Sequence, residues 1–242
     1  MASFHLISEP AWRAPQVMVR LATDRVRLAK TCGLRFWRLL GTGRGSRTSL
    51  GVDPARSALF AVWEDDAALQ EFMATSGLAA RWARTQGRSG ECWSVALHLR
   101  SGHGRWDGVD VLDGLARAAA GGPVAVLTRA RVRVRSWGRF HAAASGVSAT
   151  LPAASGLVAA VGIGEFPLGR QATFSLWPDA AAVRAFAVGD PVHAAVVRRT
   201  RDEGWYGEEL FARFAPVGST GTWDGHDPLD APRGDPAPGR AG

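Results

Sequence analysis

Apolar and polar positions are most sharply ordered over Ala172–Phe214, so the elements are read outward from there. Ala172–Trp177 alternates small residues with Phe174 and Leu176 and stops at Pro178-Asp179, which predicts a strand end followed by a helix start. Ala180–Val188 is then helical until Gly189-Asp190-Pro191, where Asp190 suits a cap and Pro191 suits a first helical position that needs no amide hydrogen. A second helix runs to about Glu203. On it His193 shares a face with Val196, Val197 and Thr200 at spacings of three, four and seven, while Arg198, Arg199 and Arg201 fall on other sides. The periodicity predicts an inward-pointing His193.

The same pattern occurs earlier in the chain. Ala58–Trp63 with Glu64-Asp65 lies over Ala172–Trp177 with Pro178-Asp179 at an offset of 114, and Phe72 and Arg84 continue the match onto Phe186 and Arg198. Gly104–Asp110 (GRWDGVD) resembles Gly221–Asp227 (GTWDGHD), and Gly33–Gly43 resembles Gly156–Gly164. Each half then reads as strand, helix, strand, strand, helix, strand. The first half is expected to use Val17–Ala22, Asp24–Cys32, Leu34–Leu40, Ala58–Trp63, Asp65–Gln86 and Cys92–Arg100. The second uses Val124–Val134, Trp137–Ala144, Leu157–Ile163, Gln171–Trp177, Asp179–Glu203 and Glu209–Phe214. That order is ferredoxin-like. The expected fold is α+β: tandem ferredoxin-like repeats forming a fused dimeric α+β barrel. Its parts are a first half over 1–112, a linker over 113–122 and a second half over 123–227. The Pro- and Gly-rich tail 228–242 and much of the linker are expected to lack fixed structure.

Composition narrows the function classes. The net charge of +7 is carried almost wholly by arginine, with Lys30 the sole lysine, and the arginines form no run with interleaved stacking aromatics. No nucleic-acid partner is therefore expected, whereas weak attraction to an anionic membrane surface is compatible with the charge. The longest apolar run, Leu157–Ile163, is far short of a membrane span, and Met1–Pro10 lacks the features of a signal peptide. The expected compartment is the cytoplasm. Cys32 and Cys92 form neither a disulfide framework nor a CxxCH haem attachment site.

Candidate chemistry centres on His193. Under the 114 offset it falls on Ala79, and Val196 falls on Trp82, so an imidazole stands where the other half has a small apolar residue. A buried imidazole needs a partner, since an unsatisfied buried polar group costs roughly 1–3 kcal/mol. A backbone carbonyl or a metal would each serve, and both readings stay open. His5, His98, His103, His141 and His226 show no HxH or HExxH spacing, which disfavours a metal site built from protein ligands alone. A porphyrin iron needs only one axial histidine. Arg129, Arg131, Arg133 and Arg135 share one strand face, with Arg129 deepest and within reach of a propionate or substrate oxygen. Gly41–Ser46 misses both GxGxxG and GxxxxGKS and reads as a loop, and Glu208-Glu209 reads as a solvated pair. Phe36, Trp37, Trp137, Phe140, Phe174, Trp177 and Trp205 are first of all core, and also suit the wall of an apolar pocket.

The segments GLRFWRLLGTG (Gly33–Gly43), AVLTR (Ala125–Arg129), GIGEFP (Gly162–Pro167), QATFSLWPD (Gln171–Asp179), Pro191-Val192-His193 and EGWYGEELFARF (Glu203–Phe214) together resemble the spheroidene monooxygenase family of acyclic-carotenoid 2-ketolases. The likeness runs in order from about Leu34 to Trp223. It implies a haem-dependent, oxygen-using enzyme of the fused barrel type, with haem b held by His193 as axial ligand. Phe174, Trp177, Val197 and Arg129 are then expected around the haem, Phe36, Trp37, Phe140 and Trp205 around the substrate, and Arg129 and Gln171 as distal donors. The expected partners are a carotenoid-like substrate and an electron donor such as a ferredoxin. A haem enzyme acting on another substrate, a haem carrier or ligand-binding barrel, and a cofactor-free barrel are the alternatives.

Overall fold

In a computed structural model, residues 1–43, 52–87, 89–140, 142, 154–165, 170–189 and 191–230 are described; the side chains at 52, 170, 189, 191–194, 197 and 201 lie outside that description. The strands are β1 (Ala2–Ser8), β2 (Leu34–Gly43), β3 (Val52–Trp63), β4 (Glu91–Gly104), β5 (Val124–Val132), β6 (Ala159–Glu165), β7 (Arg170–Trp177) and β8 (Tyr206–Gly221). They close an antiparallel barrel in the order β1-β3-β2-β6-β7-β5-β8-β4. One sheet is therefore β4-β1-β3-β2 and the other β8-β5-β7-β6, joined through β2 to β6 and β4 to β8. Outside them lie α1 (Ala14–Leu28), α2 (Asp66–Thr75), α3 (Gly77–Gln86), α4 (Ala180–Gly189) and α5 (Pro191–Asp202). The protein is an α+β barrel.

Strand alternation separates two environments. Phe4, Phe60, Val95, Leu127, Phe174 and Phe214 turn inward into one continuous lumen core, where the Phe4 and Phe174 rings stack with centroids 3.9 Å apart. The lumen is filled by side chains. Leu59, Ala61 and Trp63 turn outward from β3 onto Leu28, Leu69, Phe72 and Trp82 of the first three helices. Val124, Val126 and Trp177 turn outward under Val183 of α4.

The first strand and helix differ from expectation. Val17–Ala22 is not a strand: Val17, Asp24 and Leu28 are buried on one side of α1, and that spacing is helical. The true first strand is Ala2–Ser8, where Phe4 and Leu6 alternate with Ser3 and His5 before Ile7 breaks the pattern, and both its faces are covered. The expected helix Asp65–Gln86 is two, divided at Ser76. Extended backbone there ends α2, and its hydroxyl accepts from the Ala79 amide at 3.0 Å to start α3. Asp65 and Asp179 cap α2 and α4 by accepting from the Ala68 and Ala182 amides, each at 2.8 Å. The break between α4 and α5 stands where Gly189-Asp190-Pro191 puts it. Residues 113–122, expected to lack structure, run beside β4 through Leu99 N–H to Ala116 O at 3.0 Å and Ala118 N–H to Leu99 O at 2.8 Å, with Leu115 buried in the lumen core. Of the tail, Leu229 packs against the same core, and 231–242 lie outside the described residues.

The β4–β8 pair carries a reciprocal clasp. Glu208, early in β8, accepts from the amides of Asp107 at 2.9 Å and Gly108 at 2.6 Å, in the turn that follows β4. Glu91, at the start of β4, accepts from the amides of Asp224 at 3.1 Å and Gly225 at 2.5 Å, in the turn that follows β8. Asp107 and Asp224 both have positive φ, 52° and 54°, as the first residue of a left-handed pair with the following glycine. Gly104 and Gly221 precede the turns with φ of +102° and +83°, and a Cβ at either would lie 2.1 Å or 1.9 Å from a carbonyl oxygen of the paired strand. No side chain fits there.

Candidate functional site

At one end of the lumen an ionic cluster closes the barrel. Arg129 is 1% exposed and pairs with Glu208 and with Asp107 at 3.3 Å, with Glu165 3.8 Å from its Nε. Its guanidinium lies 5.4 Å from the ring centroid of Trp106, whose indole N–H donates to Glu165. Arg38 adds a second cation on Asp107 at 2.7 Å. Burial pushes the Glu208 carboxyl up, but the Gly108 amide, the Arg129 side chain and the Asp107 amide outweigh it and hold the group below its ordinary value. Every charge here answers an opposite one, so the cluster fastens the lumen mouth. Sequence reading misassigned two of its members: Glu208 is no solvated carboxylate, and Arg129 faces the lumen, away from the helices. Phe174 and Phe36 face the lumen too, where Phe36 lies 5.6 Å from Trp106. None of the three reaches the helix side of the second sheet.

That helix side is where the two sheets part company. The ladders define one cross-strand row in each. In the first sheet it runs Ser94, His5, Leu59, Leu39; in the second, Phe211, Thr128, Thr173, Gly162. The first row is roofed by Trp82 of α3, whose ring centroid is 4.8 Å from that of His5, and His5 and Leu59 are fully buried. In the second row Thr128 is exposed and Thr173 half-buried, although Leu127 and Arg129 beside Thr128 are buried. Trp82 of α3 has Val196 of α5 as its counterpart. Thr128, Thr173 and Gly162 thus stand in the second row where the first has His5, Leu59 and Leu39, while Phe211 stands where the first has Ser94.

This second row has aromatic ends. At one lies Trp177, 3% exposed, its N–H donating to Ser175 at 2.9 Å and its ring 5.4 Å from Phe186 of α4. At the other, Phe140 and Trp205 meet edge to face at 6.4 Å and pack with Val132 and Val196. Gln171 is one strand position pair from Thr173 and shares the helix-side face of β7. Position 193 lies in the first turn of α5, one turn before Val196; the side chains of His193 and Val197 lie outside the described residues. Of the sequence candidates, Trp177, Phe140, Trp205 and Gln171 therefore share a face with α4 and α5, whereas Trp37 lies on the helix side of the first sheet, against its own core. The small-residue row was missed. Its signal was present in the repeat, as Leu59 against Thr173 and Trp82 against Val196.

The other reactive groups are structural. Both ring nitrogens of His5 bond hydroxyls, Nδ1 with Ser94 at 2.8 Å and Nε2 with Ser3 at 2.9 Å. Burial lowers its pKa to about 3, so the ring is neutral. Burial likewise pushes the Cys92 thiol up to about 11, which leaves no thiolate for attack. Among the described residues no group of three His, Cys, Asp or Glu side chains could hold a metal ion.

No protein-family model matches the chain. Among solved structures, a crystal structure of aldoxime dehydratase overlies it with a TM-score of 0.59 at 11% identity, over 89% of this chain and 80% of that one. An aldoxime dehydratase in complex with butyraldoxime gives 0.57 at 11%, over 89% and 78%. These likenesses establish the barrel fold. The spheroidene monooxygenase of Rhodobacter capsulatus is 33% identical over 219 residues, 89% of each chain. That of Rubrivivax gelatinosus is 37% identical over 193 residues, 80% of this chain and 73% of the relative. That of Cereibacter sphaeroides is 33% identical over 86% of this chain, which spans 66% of the relative's length. With identity of this level across most of the barrel, the chain belongs to the spheroidene monooxygenase family, a family of oxygen-dependent oxidoreductases.

Proposed function

We propose that this monooxygenase oxidises a hydrophobic polyene of the carotenoid type with the help of a haem b, which His193 of α5 would hold on the helix side of the second sheet. One observation carries the reading: the row Phe211, Thr128, Thr173, Gly162 offers a face of mostly short side chains on the helix side of the second sheet, where the first sheet is packed shut by Trp82, His5 and Leu59. A flat, largely apolar ring fits such a face. When bound, the haem supplies the activation of O2.

The chain's own residues do the rest. His193, in the first turn of α5, would hold the iron. Trp177 with Phe186 and Phe140 with Trp205 supply dry walls at the two ends of the row. Gln171 supplies an amide on the same face, able to donate a hydrogen bond to a substrate or oxygen atom. Arg129 has no part at this face, since its guanidinium is engaged in the lumen. One turnover consumes O2, two electrons and two protons, converts C–H to C–OH and releases water. A second at the same carbon gives a geminal diol that loses water to a ketone. The electrons come from an external donor such as a ferredoxin. We also read the barrel as a tandem ferredoxin-like repeat, supported by the matching strand orders β4-β1-β3-β2 and β8-β5-β7-β6 and by the reciprocal glutamate clasps.

The test supplies an acyclic carotenoid, reduced ferredoxin and isotopically labelled O2 to haem-loaded protein and analyses the product by mass spectrometry. Label in a hydroxylated or keto carotenoid is expected from the wild type and not from Thr173→Leu/Gly162→Leu, which rebuilds the first sheet's row. Unlabelled product, or full activity in the double variant, would sink the proposal.

A further inference from the structure

Helix α1 is apolar on two sides. Its inner side holds Val17 and Leu28, buried against the first sheet. Its outer side exposes Met18, Val19 and Val26 at 58%, 67% and 58%, with Trp12 just before the helix at 69%. Pro15, Val19, Ala22 and Val26 recur at intervals of four, three and four, which makes them one ridge along the outermost line of the helix. At about 3.6 residues per turn, Arg25 and Arg27 fall on opposite flanks of that ridge, and both are exposed, as is Lys30 beyond the helix end.

Negative charge is withdrawn from the same surface. Glu9 is 5% exposed at its side chain and is held by Arg13 at 3.3 Å and Arg20 at 2.9 Å. Asp24, the sole acidic residue of α1, is 6% exposed and paired with Arg81 of α3. The outer face of residues 11–30 is thus an apolar ridge between cations, with a tryptophan at its leading end.

We propose that α1 is a docking helix for an anionic lipid bilayer, lying flat with Trp12, Val19 and Val26 in the headgroup boundary and Arg25, Arg27 and Lys30 on lipid phosphates. A contiguous apolar strip of this kind marks an interaction surface. The flanking cations fit an anionic partner and disfavour a second copy of the same ridge, which would bring like charges together. Fifteen residues are too few to span a bilayer, so the helix lies on it. The docking rests on the polyene reading only for its purpose, to hold the enzyme where an insoluble substrate dissolves. Lipid binding is scored without substrate or turnover, so either can fail without the other.

The experiment is flotation of the full chain with vesicles of phosphatidylcholine alone or of equal parts phosphatidylcholine and phosphatidylglycerol, at low and high salt. Wild type is expected to float with the anionic vesicles and to bind neutral ones at least roughly tenfold more weakly. Val19→Asp/Val26→Asp and Arg25→Gln/Arg27→Gln should each lose roughly tenfold or more on anionic vesicles while melting like wild type, since all four side chains are exposed. Wild type left unbound at low salt, or variants that float equally well, overturns the proposal. So does a light-scattering result in which the valine variant splits a dimer, because the ridge then belongs to a second copy.

Discussion

Removing Glu208 should cost the barrel far more than removing Glu91, although the two carboxylates clasp their turns alike. Glu208→Ala takes an acceptor from the Asp107 and Gly108 amides and leaves Arg129, 1% exposed, with Asp107 at 3.3 Å and Glu165 at 3.8 Å from its Nε. Breaking a buried pair costs about 3–5 kcal/mol, and the carboxylates that remain put this case near the lower end, about 3 kcal/mol. For a chain of this size that is a fall in Tm of roughly 6–12 °C. Glu91→Ala loses the amides of Asp224 and Gly225 and the Thr222 hydroxyl, but strands no guanidinium. Its cost should be about 1 kcal/mol, or roughly 2–4 °C. Glu208→Gln divides the effect, since the amide oxygen still accepts from the turn while the charge opposite Arg129 is gone. Thermal and urea unfolding followed by circular dichroism measure all three. Equal losses for Glu91→Ala and Glu208→Ala, or a Glu208→Gln that melts like wild type, would refute the view that the buried charge pair, and not the clasp, dominates.

Three further outcomes follow from the same geometry. Glu208 is held below its ordinary pKa of 4.5 in the folded chain, so its contribution is intact at neutral pH and is lost as pH falls through the lower folded value; Glu208→Gln should flatten the acid limb of stability against pH. His5 titrates near 6.5 when unfolded but near 3 when folded, so the unfolded chain binds the extra proton, and stability is lost as pH is lowered from 6.5 towards 3. His5→Asn should remove one proton from the slope, as read by urea titrations at several pH values, and an unchanged slope would contradict a neutral buried ring. Trp82→Val, which gives α3 the residue that α5 carries as Val196, should cost about 3 kcal/mol by calorimetry, because it opens over His5 and Leu59 the space that the second sheet already has.

Much of the fold was legible because the relevant elements carry one-sided patterns. Ala58–Trp63, Gln171–Trp177 and the α4–α5 pair all declare themselves by alternation, capping aspartates or the Gly189-Asp190-Pro191 break. β1 alternates only over Ala2–Leu6, and its polar positions, Ser3 and His5, are buried and satisfied by one another instead of facing water. The start of α1 reads as a strand because Val17, Val19 and Leu21 alternate with Met18 and Arg20 over a short window, although in the helix Val17 faces the core and Val19 faces solvent. The candidate site was half legible. The asymmetry of His193 against Ala79 and of Val196 against Trp82 lies in the sequence, but that Thr128, Thr173 and Gly162 form a single row is a property of strand register, which the sequence alone does not reveal. Register also separates Arg129 from Thr128 onto opposite faces of β5.

The most direct measurement is the visible spectrum of the purified chain titrated with haemin, beside His193→Ala and Thr173→Leu/Gly162→Leu. A sharp Soret band at one haem per chain is expected, with an altered ligand field in His193→Ala and binding weakened by roughly a hundredfold or more in the filled double variant, whose melting is measured beside its spectrum. A spectrum indifferent to both changes would contradict the account, and His193 would then be a core histidine on a barrel whose second sheet binds something else.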